Sequence, residues 1–261
     1  MTVCIFRAVL LSAATVLFFG CATAVRAPQP VASLSPVAES WSRVLARHVD
    51  AEGRVDFVGL ARDRADLDRY VGWIYATGPN NRPELFAGRA AVIAYHLNAY
   101  NALAMYNVLE AGIPQTLASF GERYDFFYRR KLSVGGTEIS LYDYENKVIR
   151  PLGEERIHFA LNCMAVSCPR LPREPFTAAQ LEQQLARETR RFFAESRNFT
   201  VDDAARTVRL SEILRFYPDD FLARAPSLAQ YAAEQAGRTV PPDYAVSFVP
   251  YDWTINRQPP R

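Results

Sequence analysis

Residues 89–111 form the segment that most constrains the fold of this chain. They read RAAVIAYHLNAYNALAMYNVLEA, an alanine-rich run that contains neither glycine nor proline. Gly112 and Pro114 follow and are typical of a helix end. Because apolar residues occur almost all round the predicted helix, we expect it to be buried on every side. The rest of the chain must therefore pack around one long central helix.

Shorter elements are predicted on both sides of this helix. Hydrophobic spacing predicts further helices at 37–49, 62–76, 141–149, 177–195 and 227–237, and hairpins near 126–141 and 198–211. The sequence RVDFVGL after Gly53 is expected to be a short strand or an extended lead-in. The fold class predicted is α+β: a helix-rich single domain, about 39–257, with a small, mostly antiparallel sheet. Residues 258–261 are a tail.

The first 38 residues differ from this domain. Residues 1–21 contain an apolar run that is too short to span a bilayer and is typical of a secretory signal peptide. The sequence LFFGC, ending at Cys21, resembles the bacterial lipobox, in which the cysteine is lipidated. An ordinary signal peptide with a chance cysteine is the alternative. Ala22 favours the outer membrane, on its periplasmic side. The proline-containing segment 22–38 is predicted to be a flexible tether of roughly 23 Å.

Most candidate chemistry lies in the segment HFALNCMAVSCPRL, which begins at residue 158. The segment 156–163 is compatible with a strand or a helical turn. Either geometry places His158 and Asn162 on one face and Cys163 on the other, so Cys163 is expected in the core. The proline after Cys168 disfavours a helix there, and its thiol is expected on an irregular segment that can approach His158.

Three interpretations of these cysteines stay open. In the first, Cys168 is a nucleophile activated by His158, and Glu145 or Asn98 orients the imidazole. In the second, Cys163 and Cys168 form a structural disulfide, as two thiols in an oxidising compartment can. In the third, His158 is a buried histidine with satisfied hydrogen bonds, and both thiols are inert. A zinc site is disfavoured because the two cysteines and the histidine lack a clear fourth ligand.

Other polar side chains are candidates for binding. Glu145 lies on the apolar stripe of its predicted helix, so its carboxylate needs a partner such as Arg150 or the histidine. Asn98 and Asn101 share one face of the central helix, and Asn162 lies in the cysteine segment. Hydrogen bonds from helix to loop are the alternative role for these asparagines. The aromatic residues near 124–128 are predicted to pack in the core rather than form an exposed patch.

Four ordered blocks carry a resemblance to a known family: AYHLNAYNAL, YDFFYRRKLSVGGTEISLYDYENKVIR, RIHFALNCMAVSCPRL and FVPYDWTIN. Across about 39–256 the chain resembles the DUF547 family, a domain of unknown function found in exported bacterial proteins and in plant proteins. The resemblance implies a domain and no activity. Arg170 and Tyr144 depart from the usual pattern. His96 stands where the family usually has tryptophan, which implies a packing role for this histidine.

The sequence leaves two functions open. The first is a lipid-anchored envelope enzyme, a cysteine-dependent hydrolase or acyl transferase; the second is a non-catalytic envelope binding or assembly module. No phosphate loop, dinucleotide fingerprint or metal cage occurs, so no cofactor is expected. The 30 basic and 28 acidic residues form no basic run, so no nucleic acid partner is expected. The expected partners are the membrane and an envelope substrate or protein.

Overall fold

The computed structural model describes residues 23–25, 27–28 and 35–259, so the predicted signal peptide and Cys21 lie outside them. The helices are α1 Ser35–His48, α2 Phe57–Arg62, α3 Ala65–Ala76, α4 Gly88–Glu110, α5 Phe120–Tyr124, α6 Leu141–Asp143, α7 Leu181–Ala194, α8 Glu212–Phe216, α9 Pro218–Leu222 and α10 Leu228–Gln235. Short 3-10 or π segments lie at Pro83–Leu85, Asp125–Arg129, Tyr144–Ile149, Arg150–Leu152 and Glu155–Phe159. The strands are β1 Thr23–Ala24, β2 Arg130–Val134, β3 Thr137–Ile139, β4 Phe199–Asp202, β5 Thr207–Ser211 and β6 Ala245–Val249. The described chain is therefore a helix-rich α+β domain, as predicted.

Helix α4 is the central helix that the sequence predicts. Every residue from 93 to 109 is buried. Gly112 has a φ of +76°, which lets the chain leave the helix, and the Ile113 N–H donates to the Val108 carbonyl oxygen at 2.9 Å. Helices α1 and α3 pack against each other, and α3 packs against α4.

The strands form two small sheets rather than one. Strand β2 pairs antiparallel with β3 and parallel with β1, and β5 pairs antiparallel with β4 and parallel with β6. The two hairpins were predicted, and Gly135 and Gly136 supply the positive φ values of the first turn. The prediction of one mostly antiparallel sheet missed the parallel partners. These arrive from distant parts of the chain, and helices α8 to α10 provide the crossover that a parallel pair requires.

The structure refines two local predictions near the N-terminus. In RVDFVGL, residues 54–56 are an extended lead-in with Val55 in isolated β-bridges, and α2 begins at Phe57, where the Asp56 carboxylate accepts a hydrogen bond from the Gly59 N–H at 2.8 Å and caps the helix. The predicted tether, residues 22–38, is also not flexible and exposed along its whole length. Strand β1 pairs with β2, Val25 is buried, and α1 begins at residue 35.

The segment that precedes the cysteines is a 3-10 helix, Glu155–Phe159, followed by irregular chain. It runs between two hydrophobic clusters: Ile157 belongs to the cluster around α4, and Phe159 belongs to a second cluster built on α7 to α10. His158 lies between these two residues. None of the helices in the described ranges is both long and apolar enough to cross a membrane.

Candidate functional site

An open cavity of about 660 Å³ lies where α5, α6, α8 and the C-terminal segment meet. Ten of its fifteen lining residues are aromatic. We call it the aromatic cleft; it is lined by Tyr100, Phe120, Arg123, Tyr124, Phe127, Tyr128, Tyr142, Glu145, Asn146, Arg150, Cys163, Phe216, Tyr217, Tyr251 and Trp253. A concave, mostly aromatic site with a few polar groups is typical of ligand binding.

One wall of the cleft is a stack of four exposed rings. Phe120, Tyr124 and Tyr128 follow one another at four-residue spacing, which places them on one face of continuous helical turns. Successive ring centroids lie 5.9 and 5.5 Å apart, and Tyr142 extends the stack at 4.3 Å from Tyr128. The prediction that the aromatic residues near 124–128 pack in the core is therefore wrong for Tyr124 and Tyr128. It holds for Phe126, which is buried.

The facing wall comes from the C-terminal segment. The ring centroids of Tyr251 and Trp253 lie 4.4 Å apart, and Phe216 stacks against Trp253. The Tyr251 hydroxyl lies 3.1 Å from the sulfur of Cys168 and 3.4 Å from that of Cys163. Contact with these sulfur atoms therefore fixes the Tyr251 ring in the cleft.

Cys163 and Cys168 are joined by a disulfide. The burial of the two residues is the reverse of the expectation. Cys168 is 3% exposed, whereas Cys163 is half-buried and lines the aromatic cleft. The expectation failed because the chain is neither strand nor helix here: Met164 has a φ of +70°, and the Cys163 N–H points to the Cys168 sulfur at 3.1 Å. Face-sharing arguments from regular periodicity do not apply to such a turn.

His158 pairs with Asp220, which sequence reasoning missed. The imidazole Nε2 lies 2.7 Å from Asp220 Oδ2, and the ring stacks on Tyr217 with centroids 4.1 Å apart. Arg150 binds the same carboxylate through Nε and Nη2, each at 2.8 Å. His158 and Arg150 hold the pKa of Asp220 well below its ordinary value of 3.8, so the carboxylate is charged and Nε2 of His158 donates to it.

Glu145 lies between this network and the aromatic cleft. Its Oε2 accepts a hydrogen bond from the Tyr100 hydroxyl at 3.1 Å. The Nδ1 atom of His158 lies 4.0 Å from Oε1 and has no hydrogen-bond partner among the described residues. Of the two predicted partners for Glu145, His158 is adjacent, while Arg150 binds Asp220 instead. The arrangement presents one carboxylate to the cleft with a histidine behind it.

The asparagines act as anchors between helix and loop. Asn101 donates to the Ala160 carbonyl oxygen at 3.0 Å and accepts from the Asn162 N–H at 2.7 Å. Asn162 in turn donates to the Pro169 carbonyl oxygen and accepts from the Met164 N–H, both at 2.7 Å. These bonds fix the cysteine segment against α4.

Asn98 lies outside the cleft. It bonds both backbone groups of Phe176 and accepts from Trp41 Nε1 at 3.2 Å. It lines a separate apolar groove of about 450 Å³. The structure therefore does not bring Asn98 to His158.

Asp220 could not be recognised from local sequence. Pro218 opens α9, with Asp219 and Asp220 in its first turn, which is an ordinary helix-start pattern. Nothing local distinguishes the two carboxylates. Among the described residues, no group of three or more His, Cys, Asp or Glu side chains is arranged to hold a metal ion.

Comparison with known proteins gives a match to a protein family. Residues 86–193 match the family model described as a protein of unknown function, DUF547. No curated protein and no solved structure matches the chain. The matched stretch contains Glu145 and His158 and ends before Asp220 and Trp253. This match supports the assignment of residues 86–193 to the DUF547 domain family.

Proposed function

We propose that this chain is a lipid-anchored binding module of the bacterial cell envelope that holds its ligand in the aromatic cleft. The observation that carries the proposal is the cleft itself, with stacked rings on two walls and one part-buried carboxylate between them. The disulfide beneath the cleft, Cys163–Cys168, has a structural role in this proposal. A sulfur atom bonded to another cysteine is not a thiolate, so the oxidised protein lacks the nucleophile of the cysteine-dependent hydrolase or acyl transferase.

Export and lipidation at Cys21 rest on the signal-peptide and lipobox patterns. Strand β1 begins two residues after Cys21, and two residues span at most about 7 Å. A lipid on Cys21 would therefore hold the domain directly against the periplasmic face of the membrane, with the outer membrane favoured. Radiolabelled palmitate is expected to enter the chain in bacteria and to be absent from a Cys21→Ser variant. Equal labelling of the variant would contradict the anchor.

The redox state of the cysteines separates the module from the enzyme. The chain is isolated from envelopes in the presence of an alkylating reagent and mapped by mass spectrometry. We expect Cys163 and Cys168 to resist alkylation until a reductant is added. Free thiols, with Cys168 labelling rapidly only when His158 is intact, would instead support the cysteine-dependent enzyme.

Complementation of a deletion strain tests the cleft directly. Trp253→Ala removes part of one wall, and we expect it to abolish complementation. Leu222→Ala changes an exposed apolar side chain outside the cleft and serves as the control. The double variant Cys163→Ser/Cys168→Ser is expected to complement at normal protein levels. If only the cysteine variant lost function, the enzyme would be the better assignment.

A further inference from the structure

Glu145 is a part-buried carboxylate that forms no salt bridge with a lysine or arginine among the described residues. Its side chain is 12% exposed, and the ion pair described for it is with His158, at 4.0 Å. The Arg150 guanidinium also lines the cleft, but Asp220 binds it twice and Asn146 accepts from its Nη1 at 2.7 Å. A carboxylate in such surroundings favours any cation that can reach it.

The charge of Glu145 contributes to the raised pKa of the tyrosines around it. Burial raises the pKa of Tyr100, Tyr217 and Tyr251 well above 10, and the charge of Glu145 is the next cause in each case. The three phenols therefore stay neutral at physiological pH. The face of an aromatic ring carries negative electrostatic potential and attracts cations within about 6 Å of the centroid. The ring faces and the Glu145 carboxylate therefore both favour a cationic ligand.

A cation already lies on one of these walls. The guanidinium carbon of Arg123 lies 5.0 Å from the centroid of the Trp253 ring at the cleft. The Trp253 ring at the cleft therefore takes part in a cation–π interaction at ordinary distance.

From these contacts we infer that the aromatic cleft binds a primary or quaternary ammonium group, with Glu145 as its counter-ion and the tyrosine and Trp253 rings around it. The inference rests on the proposed binding function and specifies the chemistry of the ligand. The ammonium group can belong to a lipid headgroup or to a soluble amine.

Choline and its uncharged carbon analogue, 3,3-dimethylbutan-1-ol, are suitable probes because they share one shape and differ in charge. Binding is followed by the chemical shift of the Trp253 indole N–H in the mature chain. We expect the uncharged probe to bind at least about tenfold more weakly, which corresponds to about 1.4 kcal/mol. Equal affinity for the two probes, or no saturable shift with choline or with the primary amine ethanolamine, would overturn the ammonium assignment. Saturable binding of the uncharged probe alone would still support a binding cleft.

Glu145→Gln keeps the shape of the side chain and removes its charge. We expect it to weaken choline binding at least about tenfold and to leave the uncharged probe unaffected. Glu138→Gln changes an exposed carboxylate outside the cleft and is the matched control. If Glu145→Gln does not fold, Trp253→Leu is the second variant, because it removes one ring face of the cleft. Since that variant lacks the Trp253 indole N–H, choline affinity is read instead from fast-exchange broadening of the choline methyl signal. Choline affinity that is unchanged in the folded variant would refute the inference.

Vesicle sedimentation identifies the source of the ammonium group. The mature chain with Cys21→Ser is mixed with vesicles of phosphatidylglycerol alone, or of phosphatidylglycerol with either phosphatidylethanolamine or phosphatidylcholine. Enrichment on either mixture that depends on Glu145 assigns a lipid headgroup. Choline binding without such enrichment assigns a soluble amine.

Discussion

Replacement of Asp220 by asparagine tests the charge network behind the cleft. The carboxylate is 24% exposed and makes three short contacts, one with His158 and two with Arg150. Asparagine has one acceptor oxygen and no charge, so at least one of the three bonds is lost and the remaining ones are made to a neutral acceptor. A hydrogen bond to a charged group contributes about 1.5–3 kcal/mol and a neutral one about 0.5–1.5 kcal/mol. We therefore expect Asp220→Asn to lower the free energy of unfolding by about 2–4 kcal/mol at pH 7.

The neighbouring residue Asp219 provides the control. It is exposed on the same helix turn, so Asp219→Asn is expected to change stability by less than about 0.5 kcal/mol. Both variants are compared with the native chain by urea denaturation followed by circular dichroism. An Asp220→Asn cost no larger than that of Asp219→Asn would refute the described role of the network.

The pH dependence gives a second test of the same residue. Because the folded protein holds the pKa of Asp220 well below 3.8, the carboxylate stabilises the fold fully above the unfolded pKa. That contribution is lost as the pH falls through the folded pKa. The stability difference between the native chain and Asp220→Asn should be constant from about pH 5 to pH 8 and should shrink in stronger acid. A difference that stays the same at about pH 2 would contradict this origin.

Three further predictions concern stability. Asn101→Ala leaves the Ala160 carbonyl and the Asn162 N–H without their hydrogen-bond partner, so the free energy of unfolding, measured by urea denaturation, should fall by about 2–6 kcal/mol. A loss below about 1 kcal/mol would contradict the role of Asn101 as an anchor. Reduction of the Cys163–Cys168 disulfide opens a short loop and should lower the free energy of unfolding by about 2 kcal/mol. The control is Cys163→Ser/Cys168→Ser, whose stability should not change when reductant is added. Burial lowers the pKa of His96 to about 4, so the free energy of unfolding should fall by up to about 3 kcal/mol as the pH drops from 6.5 to 4. His96→Phe should lack this pH-dependent loss of stability. An identical pH profile for the native chain and the variant would contradict the lowered pKa.

Several features of the fold could be read from local sequence. Helix α4 was predicted because its apolar residues cover all faces and a glycine ends it, and the two hairpins were predicted from their alternation and turns. His158 was also one of the two partners proposed for Glu145, with Arg150, because a carboxylate on an apolar stripe needs a partner. These inferences depend only on interactions between residues that are close in sequence or on simple burial.

The sequence alone determined the central helix, the hairpins and the choice of cysteines that can pair. The tertiary structure decided which groups meet at the cleft. Asp220 reaches His158 across 62 residues of chain, and the C-terminal Tyr251 and Trp253 face rings contributed by α5. Local periodicity reports which face of an element is apolar, but it carries no information about which distant polar or aromatic side chain will lie opposite. For this reason the aromatic cleft and the pairing of His158 with Asp220 emerged only from the packed chain.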